Sequence, residues 1–158
     1  MDKVKIAIVG VGNIAQMHLK GYLQNPDAEV YAFCDINPER LKYMGEKYGV
    51  TRLYTDEDKM LAELPEINAV SVCTWNSAHA ECTIKALNAG KDVICEKPMS
   101  VSVEDAKRMK EAADKNGRLL MLGFVRRYGN DCKVMKDFAN AGTFGEIYYS
   151  KAQYIRRN

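Results

Sequence analysis

A glycine-rich turn between an apolar strand and a helix is the feature that most limits how this chain can fold. The apolar run Val4–Val9 leads into Gly10-x-Gly12-x-x-Ala15, and the pattern of a helix starts directly behind it. Gly10 allows a tight turn, Gly12 leaves room for a phosphate, and Ala15 lets the helix pack close to the strand. The unit therefore predicts a parallel α/β sheet that holds a dinucleotide pyrophosphate at a helix N-terminus.

An acidic residue follows the second apolar run of the chain. Asp35 directly follows residues 30–34 and lies 20 residues beyond Ala15, which is the spacing expected for a carboxylate that binds the adenosine ribose. That carboxylate would repel a 2′-phosphate, and the next residue is Ile36 rather than an arginine. The segment favours NAD over NADP, although Arg40 one helical turn later leaves NADP open.

A helix cap is an alternative interpretation of the same segment. Asn37 is a favourable N-cap residue and Pro38 a favourable first residue of a helix. The two interpretations are compatible, because Asn37 can cap the helix while Asp35 faces a ligand.

Length and charge limit the class of protein. The chain has 158 residues, 47% of them apolar and 28% charged, with a net charge of +2. These values predict a globular protein with a single well-packed domain and no nucleic-acid or membrane partner. Lys5 interrupts the first apolar run, so we expect neither a signal peptide nor a membrane span there.

The cysteines indicate a reducing compartment. Their number is five and their spacing is irregular, which is typical of reduced thiols in a cytoplasmic protein. Cys73, His79 and Cys82 lie near one another in the sequence, but they form no Cys-x-x-Cys pair. We therefore expect no metal site.

Apolar runs alternate with helical patterns along most of the chain. This alternation is typical of a Rossmann sheet, doubly wound and parallel, with helices on both faces. Strands are predicted over residues 4–9, 30–34, 50–54, 67–73, 91–95 and 118–124. Helices are predicted from the glycine turn to about residue 24 and over residues 38–48, 57–64, 77–89, 103–116 and 128–140.

The C-terminal tail has strong β-propensity. Residues 145–155 predict a seventh strand, although the six-strand unit is complete before them. We interpret it as the first strand of a missing C-terminal α+β domain, with a Rossmann domain over 1–124 and a connecting segment over 125–158. A free edge strand could also pair with a second copy and form a homo-oligomer. The alternative is that the tail folds back on its own domain.

Three motifs follow the last three strands of the predicted sheet, at the edge where such sheets bind ligands. A Thr-x-Asn-x-x-His turn spans residues 74–79, Glu-Lys-Pro spans 96–98, and Gly-Phe-x-Arg-Arg-Tyr spans 123–128. Together with the glycine turn they resemble the Gfo/Idh/MocA oxidoreductases. The resemblance covers the whole chain but only about the first half of a typical member. Where the family commonly has proline, this chain has Trp75, which could stack on a cofactor ring.

The resemblance implies roles for individual residues. Lys97 would be catalytic, stabilising a developing alkoxide or orienting the hydroxyl; the alternative is an exposed loop lysine. Glu96 would bind the nicotinamide ribose or pair with Lys97. The implied cofactor-binding set is Gly10, Gly12, Asn13, Ile14, Asp35, Ile36, Thr74, Trp75, Asn76, His79, Glu96 and Lys97.

Other residues have two interpretations each. His79 begins a helix, so we expect a neutral imidazole that bonds the cofactor, or else a structural histidine. Arg126 and Arg127 would reach the substrate or form a solvated pair. His18 is interpreted as a packing or surface residue.

In the family, the acid–base residues lie on the second domain. We therefore expect this chain to be the NAD-binding half of an oxidoreductase that acts on a sugar, polyol or inositol hydroxyl, and to be inactive by itself. The alternative is a stand-alone NAD(H)-binding module that acts as a sensor or interaction partner.

Overall fold

A parallel sheet of six strands forms the centre of the protein. The computed structural model describes residues 2–155. The strands are β1 (Val4–Val9), β2 (Ala28–Cys34), β3 (Leu53–Tyr54), β4 (Ala69–Val72), β5 (Asp92–Cys95) and β6 (Leu120–Leu122). Every paired neighbour is parallel, in the order β3-β2-β1-β4-β5-β6. The order reverses between β1 and β4, and at such a reversal the carboxyl ends of the strands border a crevice.

Helices cover both faces of this sheet. Ile8 and Phe33 belong to a buried cluster with side chains of the first two helices, whereas Val9 and Cys34 belong to a cluster with side chains of the next three. Adjacent strand residues point to opposite faces, so the two clusters lie on opposite sides of the sheet. The predicted doubly wound Rossmann class is confirmed. The helices are α1 (Asn13–Gln24), α2 (Pro38–Tyr48), α3 (Glu57–Glu63), α4 (His79–Asn88), α5 (Val103–Asn116) and α6 (Asn130–Asn140).

Side-chain caps define where several helices begin. The Asn37 side chain accepts a hydrogen bond of 3.0 Å from the Arg40 N–H, and Pro38 occupies the first helical position of α2. The Ser102 hydroxyl accepts from the Asp105 N–H at the start of α5. These side chains satisfy N–H groups that lack an intrahelical partner. The predicted Asn37 cap is therefore confirmed.

Two predicted helices begin differently. The segment predicted as a helix from residue 77 starts as a 3-10 turn over Asn76–Ala78, and α4 begins only at His79. Likewise, a 3-10 turn over Val125–Tyr128 precedes α6. The tighter turns satisfy backbone groups at helix ends, which periodicity alone does not reveal.

The predicted strand over residues 145–155 is wrong. No residue from 146 to 155 belongs to a strand, and the side chain of Tyr148 is 94% exposed. High β-propensity describes how well side chains fit a pleated, half-buried surface, and a strand forms only where a neighbour supplies the hydrogen bonds. The described part of the tail has no such neighbour.

The chain divides into two compact units, Met1–Gly123 and Phe124–Asn158. The first contains the sheet and helices α1 to α5. The second contains the 3-10 turn and α6, with the rings of Phe138 and Phe144 stacked at 6.2 Å. Among residues 2–155, no helix combines the length and apolarity needed to cross a bilayer.

Candidate functional site

The first glycine of the turn is required by the protein itself. Gly10 follows β1 with a φ of +85°, a conformation that other residues rarely adopt. A Cβ at this position would lie 2.8 Å from the Cys73 carbonyl group and from the Thr74 nitrogen. Gly10 thus brings the ends of β1 and β4 into contact at the strand reversal.

The second glycine has no such internal reason. A Cβ at Gly12 would meet nothing within 4 Å, and its φ of −78° suits any residue. Gly12 is the N-cap of α1, and no side chain caps this helix. The N–H groups of the first turn, which includes Asn13 and Ile14, have no intrahelical partner. Open space beside uncapped N–H groups fits a pyrophosphate group.

Asp35 connects the glycine turn to the end of β2. It is 6% exposed. Its Oδ2 accepts a 2.8 Å hydrogen bond from the Val11 N–H, and its Oδ1 accepts one of 2.9 Å from the Asn37 N–H. The Arg40 guanidinium lies 3.8 Å from Oδ2. Since a carboxylate has about four acceptor positions, Asp35 retains capacity for sugar hydroxyls. The neighbouring Ile36 is 88% exposed, an apolar surface beside this carboxylate.

His79 joins the loops that follow β4 and β5. Its side chain is buried, with Nδ1 2.7 Å from the Pro98 carbonyl oxygen and Nε2 3.2 Å from the Thr74 carbonyl oxygen. Both ring nitrogens therefore lie within hydrogen-bond distance of protein acceptors, although a neutral imidazole donates to only one of them. This geometry favours the structural interpretation of His79. Its direct contact with a cofactor stays a prediction.

Exposed side chains surround this pair of loops. Trp75 is 80% exposed, Asn76 begins the 3-10 turn with an exposed side chain, and the Lys97 side chain is exposed. The Lys97–Pro98 peptide bond is cis. The topology thus brings these residues to the same edge of the sheet as Gly12.

Glu96, in contrast, is directed into the protein. It is 5% exposed. Its Oε1 lies 3.0 Å from His18 Nε2, and its Oε2 accepts a 3.1 Å hydrogen bond from the Lys97 N–H. Within the described residues, no ion pair joins the Glu96 carboxylate to the Lys97 ammonium. A ribose contact of Glu96 stays a prediction.

His18 is the residue that sequence reasoning missed. Besides Glu96, it contacts Ser71, whose Oγ lies 2.9 Å from Nδ1, and Ser71 accepts a hydrogen bond of 3.1 Å from the Tyr22 hydroxyl. A signal for this role was present in the sequence, because His18 is a polar residue on the face of α1 that packs on the sheet. A buried polar residue at such a position requires a partner.

Arg126 and Arg127 lie in the second unit. Both are exposed within the 3-10 turn. The Arg126 guanidinium is 3.8 Å from Asp131 and 5.5 Å from the ring centroid of Tyr154. A role for either arginine in substrate binding stays a prediction.

The chain matches characterised proteins over most of its length. The model of the Gfo/Idh/MocA family, described as an oxidoreductase family with an NAD-binding Rossmann fold, matches residues 4–124. Identity is 35% over 143 residues to a myo-inositol 2-dehydrogenase of Thermotoga maritima, covering 90% of this chain and 42% of that protein. It is 36% over 156 residues to a D-glucoside 3-dehydrogenase of Escherichia coli, covering 98% and 44%. The chain spans less than half the length of these relatives.

Solved structures agree with this match. The WlbA dehydrogenase of Bordetella pertussis, solved with NADH and UDP-GlcNAcA, has a TM-score of 0.87 at 32% identity and covers 92% of this chain and 44% of that one. The scyllo-inositol dehydrogenase of Lactobacillus casei, solved with NAD(H) and scyllo-inositol, has a TM-score of 0.85 at 27% identity, with coverages of 92% and 43%. The strand order, the glycine turn and these matches agree. The chain belongs to the Gfo/Idh/MocA oxidoreductase family and contains its NAD-binding Rossmann fold.

Proposed function

We propose that this chain is the cofactor-binding part of an NAD-dependent oxidoreductase that acts on a hydroxyl of a sugar, polyol or inositol. The observation that carries the proposal is the open, uncapped N-terminus of α1 at Gly12, beside the buried carboxylate of Asp35. The dehydrogenase relatives from Thermotoga maritima and Escherichia coli support the reaction class.

The residues of the sheet edge divide between two halves of the cofactor. The N–H groups of Asn13 and Ile14 bind the pyrophosphate, Asp35 binds the adenosine ribose, and Ile36 packs on the adenine. On the other side of the strand reversal, Thr74, Trp75, Asn76 and Glu96 contact the nicotinamide half. His79 holds the two loops there in place through its carbonyl contacts.

Lys97 is the catalytic residue that we assign to this chain. A bound nicotinamide supplies the hydride chemistry. The exposed Lys97 ammonium stabilises negative charge on the substrate oxygen or orients the hydroxyl for deprotonation. Residues 125–158 connect to a substrate domain in a longer protein, with Arg126 and Arg127 at the substrate. The cysteines, all free where the structure describes them, support a cytoplasmic location.

The choice between NADH and NADPH tests the proposal. We expect NADH to bind with a Kd in the micromolar range and NADPH at least about tenfold more weakly, since Asp35 repels a 2′-phosphate. Asp35→Asn should reduce this ratio to about twofold, because it removes the charge but keeps the shape. Fluorescence titration measures both constants.

Glu39→Gln is the matched control, since Glu39 is an exposed acid in the first turn of α2. It should leave the NADH to NADPH ratio unchanged. A wild-type chain that prefers NADPH would contradict the role of Asp35. Absence of binding by either nucleotide would overturn the proposed function.

The role of Lys97 is testable in the longest natural protein that contains this sequence. Lys97→Ala should lower turnover by about 100-fold, the size expected when a group that stabilises transition-state charge is removed. The Kd for NADH should change by less than about threefold. Steady-state kinetics and NADH titration separate the two effects. Lys107→Ala, at an exposed position of α5, is the control, and an unchanged turnover for Lys97→Ala would remove Lys97 from the mechanism.

A further inference from the structure

We propose that His18 is a positioning residue that holds the Lys97 backbone at a fixed place relative to α1. It acts through Glu96. Because α1 receives the pyrophosphate and Lys97 lies on the nicotinamide side, this link aligns the two halves of the cofactor site. The alignment of the cofactor site rests on the proposed function, whereas the link from His18 through Glu96 to Lys97 is independent of any ligand.

The carboxylate of Glu96 is engaged on both sides. Oε1 is 3.0 Å from His18 Nε2 and Oε2 is 3.1 Å from the Lys97 nitrogen. One oxygen therefore faces helix α1 and the other faces the loop after β5. Since the carboxylate is rigid and planar, a displacement of His18 is transmitted to the Lys97 N–H.

The donor in the hydrogen bond between His18 and Glu96 follows from the groups present. An ionised Glu96 only accepts, so His18 Nε2 carries the proton. On the other side of the ring, Nδ1 lies 2.9 Å from the Ser71 hydroxyl, which accepts from the Tyr22 hydroxyl at 3.1 Å. The Ser71 hydroxyl also lies 3.7 Å from Cys73 Sγ, so each polar group of the network has a partner. A fully satisfied polar network of this kind holds its members rigidly.

Four elements of the fold meet at Glu96. His18 and Tyr22 come from α1, Ser71 from β4, Glu96 follows β5, and Gly123 follows β6. A Cβ at position 123 would lie 2.9 Å from Glu96 Oε1, so the end of β6 also leaves space for this carboxylate. Both His18 and Glu96 are largely buried, with side chains 13% and 6% exposed. Glu96 thus connects these elements below the edge of the sheet to which we assign the cofactor.

Two conservative substitutions separate the two contacts of His18. His18→Gln retains a donor at the place of Nε2 and can still reach Glu96. His18→Asn retains a polar group only at the place of Nδ1, so it keeps the contact with Ser71 and loses the one with Glu96. A purely packing role for His18 would not rank Gln above Asn in this way.

The first measurement needs no ligand. Amide hydrogen exchange at Lys97 reports the hydrogen bond to Glu96, and we expect its rate to rise about tenfold in His18→Asn, the effect of losing one hydrogen bond to a charged group. The rate should stay within about twofold of wild type in His18→Gln. Tyr22→Phe, which removes a hydrogen bond at the far end of the network, should also leave it unchanged.

The second measurement compares two probes, NADH and ADP, by titration. ADP lacks the nicotinamide half. His18→Asn should weaken NADH binding about tenfold and ADP binding less than twofold, whereas His18→Gln should bind both like wild type. Gly123→Ala places a methyl group 2.9 Å from Glu96 Oε1, the oxygen that His18 contacts, and should reproduce the selective loss of NADH affinity. If His18→Asn does not fold, the NADH and ADP titrations of Gly123→Ala still test the proposal.

Each outcome decides something. Unchanged Lys97 exchange in His18→Asn overturns the link. Equal weakening of NADH and ADP overturns the alignment of the two halves and makes His18 a general stabiliser of the fold. If the wild-type chain binds no NADH, the proposed function fails, and the exchange measurement still decides the link.

Discussion

Alanine at position 10 is expected to lower the free energy of unfolding by about 4 kcal/mol, whereas alanine at position 12 leaves stability nearly unchanged and weakens dinucleotide binding by about 100-fold or more. At Gly10, a side chain would have to adopt a φ of +85° and would approach backbone atoms of Cys73 and Thr74 to 2.8 Å. These atoms directly follow β4, where the Cys73 N–H donates to the Val9 carbonyl oxygen, and they cannot move without disturbing the sheet. Urea denaturation followed by circular dichroism measures the loss.

Gly12→Ala is the matched partner of this experiment. Its Cβ would meet no protein atom within 4 Å, so we expect a change in unfolding free energy below about 0.5 kcal/mol. The methyl group would occupy the space that we assign to the pyrophosphate, and NADH affinity should fall by about 100-fold or more. Equal destabilisation by both substitutions would contradict the distinction between the two glycines. Unchanged NADH binding by Gly12→Ala would contradict the pyrophosphate site.

Stability should also fall as the pH rises through the range from 4.5 to 7, because of Glu57. This residue is 7% exposed, and its Oε1 has no hydrogen-bond partner within the described chain. Burial raises the pKa of the Glu57 carboxyl from 4.5 to about 7, an effect that Asp58 and Glu81 increase and that Cys82 and Lys85 partly offset. Between these two pH values the folded chain binds more protons than the unfolded chain. Its free energy of unfolding therefore falls by about 3 kcal/mol across the interval.

Glu57→Gln tests this account. The amide has the size of the carboxyl but does not ionise, so the variant should lose this decline and exceed wild type by about 3 kcal/mol at pH 8. Urea denaturation at pH 5 and pH 8 gives the comparison. Glu63→Gln is the control, because Glu63 lies on the same helix with a side chain that is 50% exposed. A decline of equal size in wild type and Glu57→Gln would show that another group is responsible.

Local sequence patterns were sufficient for the six strands of the sheet and for the positions of the glycine turn and its neighbouring carboxylate. The Gly10 turn, the Asp35 position and the Asn37 cap depend on residues close together in the chain, and their spacing predicts them. The bounds of α5, Val103 and Asn116, agree with the prediction, because Gly117 marks the end of that helix in the sequence. Residues close together in the chain can interact in only a few ways, so these interactions can be predicted from the sequence alone.

The strand predicted for the C-terminal tail was wrong because a strand depends on a partner that is distant in the sequence. Residues 145–155 have the composition of a strand but pair with nothing in the described structure, since pairing depends on another segment rather than on the residues themselves. The same dependence on distant segments governs His79, whose ring lies between the Thr74 and Pro98 carbonyl groups. The sequence left two roles open for His79, cofactor binding and a structural role. In the fold its buried ring connects the two loops.

By itself, the sequence determined the parallel α/β class, the glycine turn and the family, because these are encoded in short spacings and in an apolar period. Only the tertiary structure decided that the fold needs Gly10 and leaves open space beside Gly12, and that His18 meets Glu96 across 78 residues of chain. A contact of that separation forms when strands assemble in a particular order. That order depends on how helices pack against the sheet, and local sequence patterns do not specify it.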